Sequence, residues 1–129
     1  MKVGLAVYEL LDAETNAGNR VFPELAPEGM LMPYIVYSIV SNQPSDAKDG
    51  TPIDEAQVEI YSVAESYLAA NSLADAVRAL IDRKSTTVTD AGIGTIDVQS
   101  ITYTNEIIEV SQDRKTYIAI QDYTFRIKR

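Results

Sequence analysis

Gly92-Ile93-Gly94-Thr95-Ile96-Asp97 opens like the glycine fingerprint that seats a dinucleotide pyrophosphate on a helix N-terminus. Asp97 stands where the third glycine belongs, and a strand-like run follows where a helix must present its amides, so the residues read against phosphate chemistry. Ser45-Asp46-Ala47-Lys48 has the spacing of the serine–lysine pair of penicillin-binding enzymes. It lies in a proline- and glycine-bearing loop rather than at a helix start, in a chain too small for that fold. Asp46-Ala47-Lys48-Asp49-Gly50 starts like a calcium loop, yet Lys48 occupies a ligand position and Gln57 replaces the bidentate glutamate. Glu106 and Glu109 are spaced as a carboxylate pair, but exposed acidic residues of this kind are ordinary solvated surface.

The chain has no histidine and no cysteine. That removes the usual neutral-pH proton shuttle, the commonest metal ligand, thiolate chemistry and disulfides. Most hydrolase and metalloenzyme readings thereby lose their leading residue, and no cofactor or metal site is expected from these motifs. With 19 acidic against 11 basic residues the net charge is −8, which repels a nucleic-acid backbone unless the basic groups gather on one face. Tyrosine is the over-represented side chain, eight against two phenylalanines. On strands it suits half-buried sheet surface or a subunit interface. Tyr34 is the stronger interface candidate, because its strand is apolar on both faces.

At 129 residues, 46% apolar and 23% charged, the chain reads as one soluble domain with one core. It has no run of about 18 apolar residues to span a membrane. Glu9 and Asp12 interrupt the start too early for a secretory signal. The protein is expected in the cytoplasm where it is made.

The elements that must position these residues are organised around Asp54–Arg83, a strand running into the one long helix. Ala56, Val58 and Ile60 alternate with Gln57, Glu59 and Tyr61, the period of a half-covered strand. Ser62 and Glu65 have capping-box spacing for the helix start. Ala69, Leu73, Ala76, Val77, Leu80 and Ile81 then form an apolar stripe. Arg83 and Lys84 suit its C-terminus.

Val3–Ala13 has helical spacing ending near Gly18 and Asn19, although the first eight residues also fit an alternating strand. Arg20–Phe22 reads as a very short strand, and Pro23, Pro27 and Pro33 stiffen the crossover after it. Pro33–Val40 is a strand and Asn42–Pro52 a long loop. Ser85–Gly94 reads as a return loop, Thr95–Thr104 as a strand that continues past a bulge through Glu106–Asp113, and Lys115–Arg129 as the last strand. The expected fold is α+β: a mainly antiparallel sheet of four to five strands with one long and one short helix packed on one face.

Arg20-Val21-Phe22-Pro23, Ala26-Pro27-Glu28-Gly29 and Pro33-Tyr34-Ile35-Val36-Tyr37 together resemble the opening of the small tail-completion (tail-terminator) proteins of long-tailed bacteriophages and prophages. Gln57–Ser62, Tyr67, the Leu73-Ala74-Asp75-Ala76-Val77-Arg78 run and Asp122-Tyr123 carry the resemblance along nearly the whole chain. It implies a virion structural protein of the tail, made in a bacterial host's cytoplasm and without enzyme activity. It implies a ring of identical copies, usually a hexamer, that ends the tail tube and meets the tail-tube and head-connector proteins. Genomic DNA only passes through such a ring, which an acidic lumen would suit, and no membrane is involved. The alternatives are a head-completion or connector protein and a small-ligand-binding α+β domain. The expected oligomer or partner interface comprises Tyr34, Val36, Ser45, Asp46, Lys48, Asp49 and Arg126.

Overall fold

The alternation over the organising strand is borne out. The computed structural model describes residues 2–12, 20–90, 92, 94–112 and 115–128, and it buries Ala56, Val58 and Ile60 while Gln57, Glu59 and Tyr61 stay partly open. In chain order the elements are α1 (Lys2–Leu11), β1 (Val21–Pro23), β2 (Tyr34–Pro44), β3 (Ile53–Ala64), α2 (Tyr67–Ile81), β4 (Thr86–Asp90), β5 (Gly94–Val110) and β6 (Tyr117–Lys128). The strands make one six-stranded sheet in the order β1-β2-β3-β6-β5-β4. β1 runs parallel to β2, and every other pair is antiparallel.

The sheet is thus mixed and has six strands, not four to five. The added strand is β4, which falls in the segment expected to be a loop. Its Thr-Thr-Val-Thr-Asp run is polar, but threonine is β-branched and pairs well at a sheet edge. β1 begins one residue later than expected and ends on Pro23; a proline is tolerated there because β1 is an edge strand.

The strand before α2 also runs further than the sequence suggests. Ser62, read as the helix cap, is fully buried inside β3, which pairs with β6 as far as Ala64. The cap is Ser66, whose Oγ accepts a hydrogen bond from the Ala69 amide at 3.1 Å. The helix start moves because Val63 and Ala64 gain more from strand pairing and burial than from an early turn. Its covered stripe is Ala70, Leu73, Ala74, Val77 and Ile81; Ala69 is exposed, and Ala76 and Leu80 are half-buried. The helix stops at Asp82, with Arg78 the basic residue of the last turn. Arg83 lies beyond it, left-handed at φ 61, and its amide donates to Ile101 O at 2.8 Å.

α2 packs on β3 and β6, while α1 touches both β1 and β4, the two ends of the strand order. Laid flat, five strand spacings of about 4.8 Å would separate those edges by about 24 Å, more than the roughly 10–12 Å width of a helix. The sheet must therefore curl around the helices. Val3, Ala6, Val7 and Leu11 of α1 join Leu73, Val77 and Ile81 of α2 and the inward residues of all six strands in one core. On β6 the inward set is Ala119, Gln121, Tyr123, Phe125 and Ile127, as the alternation requires. β5 continues through the segment after Thr104 with register shifts at Val98/Ser100 and Tyr103/Asn105, the bulged extension expected. Residues 13–19, which include Gly18 and Asn19, and Asp113 lie outside the described residues.

Gln121 ties α2 to the sheet. Its fully buried side chain donates to Ala74 O at 3.1 Å and to Glu106 Oε1 at 2.8 Å, and accepts from the Tyr123 hydroxyl at 3.1 Å. Arg78 lies 3.8 Å above the Tyr103 ring, which meets Tyr123 edge-on at 5.7 Å between ring centres.

Candidate assembly surface

Both helices lie against the inner face, which leaves the outer face of the sheet as one surface on which this chain can meet another. β2 alternates between the two faces. Ile35 and Tyr37 point inward and are buried, whereas Tyr34 and Val36 point outward and are half-buried. Phe22 meets the Tyr34 ring edge-on at 6.4 Å. Tyr34 and Val36 line an outer cleft of about 500 Å³ together with Tyr61 and Val63 of β3, Ile118 of β6 and Leu25 of the crossover. Leu25 is 82% exposed. Burial, then the neighbouring Glu59 carboxylate, pushes the Tyr61 phenol above its ordinary range, so it stays a neutral donor to Glu59 Oε2 at 3.3 Å.

The remaining expected interface residues gather at the other end of β2. The expected loop shortens, because Asn42–Pro44 belong to β2 and pair with Asp54, Glu55 and Ala56. The tip is ordered by its own bonds. Ser45 N donates to Ile53 O at 2.7 Å, Ala47 N to Thr51 O at 2.9 Å and Gly50 N to Ala47 O at 2.9 Å. The last closes a β-turn with Gly50 at φ 89, a conformation that favours glycine. Asp49 accepts from both the hydroxyl and the amide of Thr51, and those bonds hold its carboxyl below the usual carboxylate value. Asp46 accepts from Ile53 N at 3.3 Å, and Lys48 is exposed. Arg126, outward on β6, donates to Ser45 Oγ and Ser45 O and pairs with Glu55 at 2.9 Å.

The seven expected residues thus form two groups: Tyr34 and Val36 of β2 at the cleft, and Ser45, Asp46, Lys48 and Asp49 of the hairpin tip with Arg126 of β6 beside them. Tyr61, Val63 and Ile118 complete the cleft and are absent from the expected set. A signal for them exists in the alternation, which puts Ile118 and Ile120 on the outer face of β6. That face carries apolar residues where a solvated sheet would be polar.

Two carboxylates guard the sheet edges beside these groups. Glu24, left-handed at φ 63, accepts from Ser38 Oγ at 2.9 Å and from Ile39 N at 3.4 Å, next to the end of β1. On the far side Asp82 accepts from Tyr103 N at 3.1 Å, next to the end of β4 pairing.

Of the motifs that suggested chemistry, Ser45 is held by Arg126 rather than by Lys48, and Gly94 opens β5 with no helix after it. A family model described as Tail completion protein gp17 matches residues 6–128. No curated protein matches the chain in sequence. Among solved structures, a chain in the virion of the native gene transfer agent (GTA) particle superposes with a TM-score of 0.71 at 14% identity, covering 95% of this chain and 92% of that one. At that identity the likeness is one of fold.

Proposed function

This chain belongs to the tail completion protein gp17 family, and from that membership we propose that it acts as a single domain, assembling as a ring of identical copies that ends the tail tube and joins it to the head. Its role is structural tail completion, and its place is the tail of a virion. The observation that carries self-assembly is the outer cleft of Tyr34, Val36, Tyr61, Val63 and Ile118. Both helices are committed to the inner face, and from the rest of the chain the crossover residues Glu24, Leu25 and Ala26 line one side of this cleft. Tyr34, Val36 and Tyr61 stay half-open, and we read this apolar surface as an interaction site. The neighbouring copy is the first occupant we assign to this outer face, with the tail-tube and head-connector proteins above and below the ring. A hexamer is the expected closure.

The chain performs no chemistry in this reading; its side chains position neighbours. With a net charge of −8 the ring presents an acidic lumen, past which DNA slides without binding. Light scattering of the purified protein, alone and with tail tubes assembled without it, tests the reading. A ring-sized particle in either condition supports it, and a monomer in both overturns it.

A further inference from the structure

β1 covers β2 only at Ile35–Tyr37, and β4 covers β5 only at Gly94–Val98. Further along each edge Glu24 occupies the Ile39 amide and Asp82 the Tyr103 amide, with Arg83 N on Ile101 O between β4 and Asp82. Past these carboxylates, β2 runs on over 40–44 and β5 over 105–110 with no strand on the outer side, where β1 and β4 have ended, among the described residues. The pairing register puts the two open stretches at opposite ends of the sheet: Pro44 lies level with Ile127, whereas Val110 lies level with Tyr117. The sheet is therefore notched at two diagonal corners, and the notches are of nearly equal length. Each carries an exposed apolar residue, Val40 at 58% and Ile107 at 49%. An open edge with exposed apolar residues is a template for another strand.

We propose that in the ring described above, on which this inference rests, the 40–44 edge of one copy pairs with the 105–110 edge of the next. β2 and β5 run in opposite directions within one chain, since three successive antiparallel pairings relate them. A neighbour in the same orientation therefore brings its β2 antiparallel to β5, continuing the alternation of the sheet. The diagonal offset of the notches requires a stagger along the strands, which strands tilted to the ring axis supply, as in a closed barrel. The contact uses different surfaces on its two sides, so it propagates head to tail and closes as a ring rather than as a dimer. The short strands β1 and β4 then act as stops that set the register.

The absence of native cysteine allows a direct test. V40C is combined in turn with N105C, I107C or E109C, and the protein is oxidised alone and with tail tubes. Within one chain the two edges are three strand spacings, about 14 Å, apart, beyond the roughly 7 Å that a disulfide spans, so any bond joins two copies. At least one pair should give a reducible ladder of multimers on denaturing gels, while the single-cysteine variants stop at dimers. I107K should weaken association at least tenfold with an unchanged circular dichroism spectrum. If particles of ring size form but no pair gives a ladder, or I107K assembles like the parent, the edge pairing is wrong and the ring reading stands. If no particle forms under either condition, both fall together.

Discussion

Arg126 grips Ser45 twice across 81 residues of sequence, Nη1 on the hydroxyl at 3.1 Å and Nη2 on the carbonyl at 3.3 Å. The guanidinium thereby fastens the base of the β2–β3 hairpin to the last strand, with Glu55 as its countercharge. Both charged partners are about one-third exposed, so Arg126→Ala should cost only about 1 kcal/mol in urea unfolding. Amide exchange should rise at Ala47 and Gly50 while α2 is unaffected; equal loosening of both would show that Arg126 supports the whole fold.

Shortening the tip tests its part in assembly. Replacing Ala47–Gly50 with Asn-Gly supplies a two-residue hairpin turn and leaves Ser45 and Arg126 in place. The monomer should unfold at the parent's urea midpoint, and ring or tube association should weaken several-fold by light scattering. Unchanged association would remove the tip from the interface.

The two serines near the start of α2 should respond in opposite ways. Ser66→Ala removes the bond to the Ala69 amide and should cost about 1 kcal/mol. The Ser62 hydroxyl is buried with no hydrogen-bond partner, so Ser62→Ala should leave stability unchanged or raise it by up to ~1 kcal/mol. The reverse order in thermal denaturation would restore Ser62 as the cap.

Gln121 is the central polar group of the interior. Gln121→Leu leaves the Tyr123 hydroxyl and the Glu106 carboxylate without it and should cost about 2 kcal/mol. Tyr123→Phe should cost less in that background than in the parent, because the bond it removes has already gone. Additive costs would mean that the two side chains act separately.

Alkaline pH should expose the tyrosines. Burial raises the Tyr123 phenol well above its ordinary 10.0, with Asp82 adding to the shift, and Tyr37 and Tyr61 are also raised, chiefly by burial. Below pH 10 both the folded and the unfolded chain keep these protons. Above it the unfolded chain releases protons that the folded chain retains, so stability falls as pH rises. The urea midpoint should hold steady from neutrality to about pH 9.5 and then drop, and Tyr123→Phe should flatten the drop. An identical decline in that variant would assign it to other groups.

Much of this was legible before folding. The alternation in Ala56–Tyr61 and in Tyr117–Lys128 sorted inner from outer residues, because a strand repeats every two residues whatever it packs against. The Leu73, Val77 and Ile81 stripe marked the buried side of α2 for the same kind of reason. The threonines of β4 did not declare a strand, since their pairing with β5 supplies what their polarity hides. Ser62 and Ser66 are both plausible caps locally. Only the reach of β6 alongside Ala64 decides between them.

On its own, then, the order of residues settled the α+β class, which faces are apolar, the lack of histidine and cysteine chemistry, and the motifs that carry the family likeness. These are local or compositional properties, fixed by covalent periodicity. The tertiary structure alone decided that Tyr34, Val36, Tyr61, Val63 and Ile118 share one outer cleft, that Arg126 holds Ser45, and that the sheet is notched at diagonal corners. Such relationships join residues far apart in the chain. They exist only once strand order and register are chosen, and that choice belongs to the packing of the whole core around its two helices.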